Sequence, residues 1–349
     1  MNHRNNILIE NVKVANTNFS GIWLWGVKDA RMDNTHVVNA SWGSAAWASG
    51  GINLGHLERV EMVRVLADEN RGYGVKALTG QTTRIYGLIV HDSRFTVVPK
   101  GLWNNGSAPN ISFELWETDL RNVEMYNNYF DNHVSLVSVL APNGHKTMHF
   151  HHNTIDLSQR AGGHGYGVEL SINDAEINNN LFIKGSYGIA HWDAKPRYNW
   201  SIHHNVFYGL SSGYPGDMLR SEKSPVHNVQ FHNNTVELEG SRTMNVIGLY
   251  GAGTSTGISV RNNLIINSNT GYSYYPNRLI NLERGASVSG LSVINNLIHK
   301  MDVGSVPGGN YQNNLTVDPK IKRTGARNGK DYYAPAAGSP VLGKGIGAL

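Results

Sequence analysis

Short runs of alternating apolar and polar residues recur along the chain, and each run leads into an Asn-Asn or His-Asn pair. Such alternation places successive side chains on opposite faces of a β-strand, so each run predicts a strand with one apolar face. Eight close copies are VEMYNNYF (123–130), MHFHHNTI (148–155), AEINNNLF (175–182), WSIHHNVF (200–207), VQFHNNTV (229–236), ISVRNNLI (258–265), LSVINNLI (291–298) and the shortened YQNNLTV (311–317). A pattern repeated in this way predicts a repeat architecture.

The spacing of the copies predicts how the strands are arranged. The second residue of each pair is Asn128, Asn153, Asn180, Asn205, Asn234, Asn263, Asn296 and Asn314, with gaps of 25, 27, 25, 29, 29, 33 and 18 residues. Each repeat contains two or three short strands and cannot bury its apolar face alone, whereas stacking on its neighbours does so. We therefore predict an all-β solenoid, a single-stranded parallel β-helix whose coils lie about 4.8 Å apart.

The composition supports an asparagine ladder in this solenoid. The 349 residues include 41 Asn and 39 Gly, both of which are poor helix formers that favour turns. An Asn at a fixed turn position would lie above its counterpart in the next coil. Its amide could then satisfy backbone groups of the turn and bond to the next amide, and Asn also tolerates left-handed backbone angles.

Charge and cysteine content exclude several classes of protein. The formal net charge is only +4 and no block of like charges occurs, so we expect no nucleic-acid partner. No apolar run is long enough to span a membrane, and we expect no membrane partner. The absence of cysteine excludes disulfides, thiolate metal sites and a cysteine nucleophile.

These repeats resemble the right-handed parallel β-helix proteins of the pectate-lyase-like group. The resemblance covers residues 7–317, and the tail, NNLTVDPK (313–320) and DYYAPAAGSPVLGKG (331–345), is similar to the close of many bacterial members. It implies carbohydrate chemistry with a polysaccharide or oligosaccharide partner. It also implies a secreted or periplasmic location, with the signal peptide outside this sequence. We further expect a monomer, with a catalytic β-helix over 1–317 and a C-terminal cap over 318–349.

One parallel sheet of such a solenoid usually carries the binding groove, and the strands preceding the Asn-bearing runs are its candidates. If their apolar residues point inward, alternation places a mixed set of charged and aromatic side chains outward. That set is Trp23, Trp25, Asn53, Lys76, Glu114, Trp116, Glu169, Trp192 or His191, Arg220 and Tyr250. Carboxylates and amides bind sugar hydroxyls, and aromatic rings pack on pyranose faces, so this set predicts a polysaccharide groove.

Two glutamates in matching contexts, Phe113-Glu114-Leu115 and Val168-Glu169-Leu170, are the main catalytic candidates. One coil separates them, which predicts a backbone separation of about 9.6 Å. That spacing fits the wide carboxylate pair of inverting glycoside hydrolases once the side chains lean together. Asp193, one coil beyond Glu169, would instead make a close pair with it. Because carboxylates flank Glu169 on both sides, we expect it to be the proton donor.

The histidines divide into two groups. His151, His152, His203 and His204 repeat with the Asn column and are expected to stack along the ladder rather than to bind a metal. His164 and His191 adjoin the groove strands and are candidates for substrate contact or proton transfer. No metal-ligand spacing is recognisable, so we expect no metal and no cofactor, with Ca²⁺ possible only for a lyase.

Two alternatives to hydrolysis remain open. A polysaccharide lyase acting on a uronate polymer such as alginate or pectin needs a base and a cation that neutralises the uronate carboxylate. Lys76, Arg220 and His191 could supply them, as could Tyr187, Lys195 and Arg197. The second alternative is a non-catalytic carbohydrate-binding, adhesin or tailspike module, which predicts a uniform face without an acid pair.

Overall fold

A computed structural model describes residues 4–42, 50–77, 83–97, 111–138, 147–158, 165–210, 216–239, 244–268, 277–327 and 331–348. These residues contain 33 β-strands, and none of them lies in a helix. None of the described segments is therefore a helix long and apolar enough to cross a membrane. The chain divides into two compact units, unit 1 (Met1–Ala161 with Val168–Ala175) and unit 2 (Gly162–Gly167 with Glu176–Leu349).

Unit 1 is built from parallel strands wound into coils. Its strands are β1 Arg4–Glu10, β2 Lys13–Ala15, β3 Ile22–Asp33, β4 His36–Val38, β5 Ile52–Val63, β6 Leu66–Asn70, β7 Tyr73–Ala77, β8 Arg84–His91, β9 Arg94–Val97, β10 Ile111–Arg121, β11 Val123–Tyr126, β12 Tyr129–Phe130, β13 His133–Ser138, β14 Met148–His151 and β15 Thr154–Asp156. A boundary between the units falls within each of β16 Tyr166–Ser171 and β17 Ala175–Asn178. The long strands β3, β5 and β10 turn a corner at residues with positive φ, such as Arg59 (φ 56°) and Glu117 (φ 49°).

Unit 2 repeats this arrangement. Its strands are β18 Leu181–Ile183, β19 Tyr187–His191, β20 Arg197–His203, β21 Val206–Leu210, β22 Gly216–Ser221, β23 Val226–His232, β24 Thr235–Leu238, β25 Met244–Leu249, β26 Gly253–Thr256, β27 Ser259–Arg261, β28 Leu264–Asn267, β29 Ile280–Leu282, β30 Ala286–Ser289, β31 Ser292–Ile294, β32 Leu297–His299 and β33 Asn310–Gln312. Three stacks of parallel strands form the coil faces, for example β19–β22–β25–β29.

The asparagine ladder is present in both units. In unit 1 the Asn128 amide donates to Asn153 Oδ1 at 3.0 Å. In unit 2 each side-chain amide donates to the next at 2.9–3.1 Å, along the series Asn180, Asn205, Asn234, Asn263, Asn296 and Asn314. The predicted all-β parallel β-helix with an asparagine ladder is therefore confirmed in each unit.

The two residues of each Asn-Asn or His-Asn pair have different structural roles. The first residue takes the left-handed backbone angle, with φ of 53–56° from Asn127 to Asn313, and His152 and His204 fill this position in two copies. The second residue makes the ladder. We predicted both properties for a single Asn, whereas the turn uses one residue for the bend and the next for the hydrogen bonds.

The core of both units is apolar and contains stacked aromatic rings. In unit 1, Phe95 stacks on Phe130 with ring centroids 5.3 Å apart, and Phe130 stacks on Phe150 at 5.9 Å. In unit 2, Phe182 and Phe207 stack at 4.4 Å. All five rings are almost fully buried. Phe95 and Phe130 are register partners, as are Phe182 and Phe207, whereas Phe150 comes from a different strand stack and pairs with Met125. Aromatic rings from two strand stacks therefore fill the coil interior.

The C-terminal tail packs against the flank of unit 2. Val341 and Ile346 belong to a buried cluster with Leu264 and Leu297. Gly347 N–H also donates to Asn262 O at 2.9 Å, so the tail is fixed by backbone contacts as well as by apolar packing. That residues 318–349 cap the last coil stays a prediction.

A buried carboxylate also anchors the tail. Burial alone would raise the pKa of Glu237, but hydrogen bonds outweigh it and lower that pKa to about 2. The donors are Arg327, Ser268, Tyr333 and Arg323. Three of these four donors come from the tail, so the ionised form of Glu237 favours the docked tail.

Replacing Asn205 with Leu should lower the free energy of unfolding by about 3 kcal/mol, because buried backbone groups lose their partners. The Asn205 side chain accepts from Asn180 N–H at 3.0 Å and donates to Ile177 O at 2.9 Å. Denaturant unfolding measures the change. The same amide-to-leucine replacement at the half-buried Gln230 is the control and should cost much less. Equal stability of the two variants would contradict a stabilising ladder.

Acid should weaken unit 2 through Glu237. Because folding lowers the pKa of this group from 4.5 to about 2, its contribution is complete above pH 4.5 and is lost as the pH falls towards about 2. Thermal unfolding followed across this range should show a steeper acid loss in the wild type than in Glu237→Gln. Parallel pH profiles for the two proteins would rule out this role.

Candidate functional site

Six strands of unit 1 bring a column of outward side chains together. The register pairs Trp23 with Asn53 and Asn53 with Lys76. It then pairs Lys76 with Glu114, Glu114 with Ser135, and Ser135 with Glu169. In order along the stack the column is Trp23, Asn53, Lys76, Glu114, Ser135 and Glu169. Each predicted groove residue of unit 1 on these strands therefore lies on one face, with Ser135 on the intervening coil between the two glutamates.

Alternation along the strands places both glutamates opposite the core. Phe113 and Leu115, which flank Glu114, are fully buried in the core, as is Leu170 beside Glu169. Although both side chains point away from the core, Glu114 is only 5% exposed and Glu169 only 6%. The acids therefore occupy a desolvated site, in which their charges interact more strongly than in water.

Glu114 lies beside a buried lysine. Lys76 Nζ is 3.6 Å from Glu114 Oε1 and 4.1 Å from the centroid of the Tyr73 ring. Burial raises the pKa of Glu114 to about 7; Lys76 opposes this increase and the charge of Glu169 adds to it. Burial also lowers the pKa of Lys76, although Glu114 partly restores it. Glu114 can therefore carry a proton near neutral pH.

Glu169 has different surroundings. Ser135 Oγ donates a hydrogen bond to Glu169 Oε2 at 3.0 Å, and His133 Nε2 lies 3.7 Å from the same oxygen. Two coil spacings separate the backbones of Glu114 and Glu169, or about 9.6 Å. The role of Glu169 as proton donor stays a prediction.

Three residues of this cluster were missed by the sequence analysis. Tyr73, His133 and Ser135 are each at most 6% exposed and lie next to the charged groups. A signal for two of them was available, because His133 and Ser135 alternate with the apolar Val134 and Leu136 on β13. The alternation on β13 predicts that His133 and Ser135 lie on the face opposite the core.

Two of the predicted catalytic residues belong to unit 2. Strand β19 ends at His191, so Asp193 is in the following turn and not on a groove strand. Its carboxylate pairs with the buried Arg197, which lowers the pKa of Asp193 against the effect of burial. Asp193 therefore has a structural partner in unit 2, and the predicted position of this residue is wrong.

His191 points towards the interior of unit 2. It alternates with Ala190, and Ala190 is the residue paired with Arg220 on the next strand. His191 is fully buried, its Nε2 lies 2.8 Å from Ser224 Oγ, and its ring packs edge-on against Trp200. Burial lowers the pKa of His191 to about 4, with Arg197 adding to the effect. An outward groove position for His191 is therefore wrong.

The remaining predicted groove residues of unit 2 surround Arg220. The Arg220 guanidinium lies 3.8 Å from the Tyr250 ring centroid and 5.5 Å from that of Trp192. Arg220 Nη1 donates to Asp217 Oδ2 at 2.7 Å, and Nε donates to Glu222 Oε2 at 2.7 Å. This positive charge is balanced by two carboxylates within unit 2.

The other predicted binding residues of unit 1 are aromatic. Trp23 is 61% exposed and Trp25 46% exposed, and the Trp25 ring packs edge-on against His56 at 4.6 Å. Trp25 lies across its register partner Gly55, where a Cβ atom would approach the indole to 2.4 Å. Trp116 is half-buried on the same face of β10 as Glu114. His164 lies outside the described residues.

Comparison with known proteins finds no family model and no curated protein that matches the chain. The likeness to the pectate-lyase-like group therefore rests on the repeats, the ladder and the tail, and it stays a hypothesis. The buried column that contains Glu114 and Glu169 in unit 1 is the feature of the structure that bears most directly on function. Among the described residues, one group of three side chains could share a metal ion, namely Glu124, His149 and His151, and it lies outside that column.

The pKa of Glu114 should move in opposite directions in two variants. Replacing Lys76 with Met removes a charge that lowers this pKa, so the value should rise above about 7. Replacing Glu169 with Gln removes a charge that raises it, so the value should fall. Carbon-13 NMR titration of glutamate-labelled protein measures both shifts, with thermal unfolding as the check on folding. Shifts of the same sign would contradict the described charge coupling.

Proposed function

We propose that the protein cleaves a polysaccharide by hydrolysis, with Glu114 as general acid and Glu169 as general base. The observation that carries the proposal is the stacked Glu114–Ser135–Glu169 register, in which one carboxyl group has a pKa raised to about 7. Two carboxyl groups separated by about 6.5–9.5 Å are the arrangement used by inverting glycoside hydrolases. The backbone separation of about 9.6 Å reaches that range when the side chains lean towards each other.

In the proposed reaction, protonated Glu114 donates its proton to the glycosidic oxygen as the bond to the anomeric carbon breaks. A water molecule attacks that carbon from the opposite face, and Glu169 accepts the proton of this water. The products are a new reducing end with inverted configuration and a free hydroxyl on the leaving sugar. The hydrogen bond from Ser135 holds the Glu169 carboxylate in place, with His133 3.7 Å away, and Lys76 keeps the pKa of Glu114 from rising further.

Aromatic side chains supply the expected binding surface for the sugar chain. Trp23 stands in the same column as the acids, three coil spacings from Glu114, or about 14 Å. Its exposed ring can pack on the apolar face of a sugar while the acids act on a linkage further along the chain. This arrangement favours an oligomeric or polymeric substrate over a single sugar.

The second candidate is a lyase that acts by β-elimination, and one observation favours it. Burial lowers the pKa of Lys76, which makes this amine a stronger candidate for removing a proton from carbon. A uronate substrate would also need a cation to neutralise its carboxylate. Arg220, which the sequence offers for that role, is paired with Asp217 and Glu222. We therefore place hydrolysis first.

A panel of neutral and acidic polysaccharides tests the proposal. New reducing ends without ultraviolet absorbance from an unsaturated uronide would support hydrolysis, whereas that absorbance would identify a lyase. On a cleaved substrate, Glu114→Gln and Glu169→Gln should each lower kcat by about 10²- to 10⁴-fold, as expected for a lost acid or base. Glu58→Gln, an outward glutamate paired with Lys28, is the matched control. Full activity in either acid variant would overturn the assignment.

The pH profile provides an independent test of the roles. Because Glu114 must be protonated, kcat/KM should fall as the pH rises through about 7. In Lys76→Met this alkaline limb should move to higher pH, together with the pKa of Glu114. An alkaline limb that stays in place while that pKa moves would remove Glu114 from the role of acid.

A further inference from the structure

A second cluster of ionisable groups lies on another face of unit 1. Strands β11 and β14 pair in parallel, with Glu124 opposite His149 and Tyr126 opposite His151. The neighbouring residues on these strands, including Met125 and Phe150, are fully buried in the core. Glu124, His149 and His151 therefore project outward together, two from one coil and one from the next.

The three side chains are spaced like ligands of one metal ion. Glu124 Oε1 lies 3.1 Å from His151 Nε2 and 3.6 Å from His149 Nδ1. The His149 and His151 ring centroids are 4.0 Å apart, and the ligand atoms of all three residues lie within 4.8 Å of one another. Two ligands of a tetrahedral zinc ion are separated by about 3.3 Å, given bond lengths near 2.0–2.1 Å. Small side-chain adjustments would therefore bring all three onto one ion.

Neighbouring residues hold His151 in a suitable orientation. His151 Nδ1 lies 2.8 Å from His152 Nδ1, and the Tyr126 ring stacks on the His151 ring at 5.1 Å. If His151 donates its Nδ1 proton to His152, its Nε2 lone pair faces Glu124. Metal-binding histidines commonly have a partner of this kind on the second ring nitrogen, which fixes tautomer and ring orientation.

We propose that Glu124, His149 and His151 form a binding site for a divalent transition-metal ion, with zinc as the best fit. Two imidazoles and a carboxylate are a donor set that zinc accepts, and three protein ligands leave a fourth position for water. The side chains are 16–40% exposed, so an ion could enter directly from solvent. The bound ion would connect two successive coils and thereby stabilise unit 1.

Unit 2 contains the same arrangement with one ligand replaced. Glu176 occupies the position of Glu124, and His203 that of His151, with Glu176 Oε1 3.3 Å from His203 Nε2. Counting back from the ladder residues Asn153 and Asn205, Ser201 stands where the first repeat has His149. The chain therefore offers its own control, a site of the same geometry with two ligands instead of three.

The test is calorimetric titration of the chelator-treated full chain with zinc chloride, supported by the visible d–d absorption of cobalt(II). We expect one site of micromolar affinity, with cobalt bands typical of tetrahedral coordination. His149→Ala, His151→Ala and Glu124→Gln should each weaken zinc binding at least about 10-fold, in line with the loss of a ligand or its support. His203→Ala, in unit 2, should leave zinc binding unchanged.

A variant that creates a second zinc site in unit 2 tests the proposed ligand set further. Ser201→His would complete the set in unit 2 and should raise the stoichiometry from one zinc ion to two, while Ser201→Ala should leave it at one. Zinc should also raise the Tm of the wild type but not that of His149→Ala. No binding below millimolar zinc, or binding that His149→Ala and His151→Ala leave intact, would show that the cluster is only a set of ion pairs.

Discussion

Backbone hydrogen bonding between successive coils is the constraint on which the structure depends. A parallel strand in this protein has its partners in the coils before and after it, often more than twenty residues away. The corners are the weak points, because a bend into left-handed angles interrupts the pairing of strands. The ladder asparagines satisfy the backbone there, and their side chains hydrogen-bond from coil to coil like a further strand pairing.

The ladder also explains why the repeat motif is harder to recognise in the sequence of the first coils. Ser93 occupies the ladder position before Asn128, and its N–H donates to Asn128 Oδ1 at 3.1 Å. One coil earlier, Val65 N–H donates to Ser93 Oγ at 2.9 Å, and the valine has no side-chain group to continue the series. The requirement at this corner is a hydrogen-bond acceptor of short reach. Asparagine meets this requirement best, but serine also meets it. The earlier coils therefore keep the corner although their sequences lack the Asn-Asn pair.

Much of the fold and part of the site could be predicted from the sequence, for physical reasons. The alternation of apolar and polar residues predicts that Glu114 and Glu169 point away from the core. The repeat predicts that one coil lies between them, so their stacking on one face could be predicted. His191 was misplaced because the outward position of its strand is held by the small Ala190, which leaves the pattern ambiguous. The raised pKa of Glu114 could not be predicted, because it depends on how far neighbouring elements exclude water. The pairing of Asp193 with Arg197 likewise depends on where a turn directs its side chains.

The cluster at Glu124 shows why a coiled fold of this kind can carry more than one site. Its ligands come from different repeats, with Glu124 and His151 separated by 27 positions, so no local spacing marks them as a set. Each outward position can change without disturbing the core, since the core belongs to the alternate residues. The difference between His149 and Ser201 is one such change at equivalent positions. Sites on these faces can therefore arise by single substitutions, whereas the acid column requires burial of several neighbouring residues together and is harder to build or to lose.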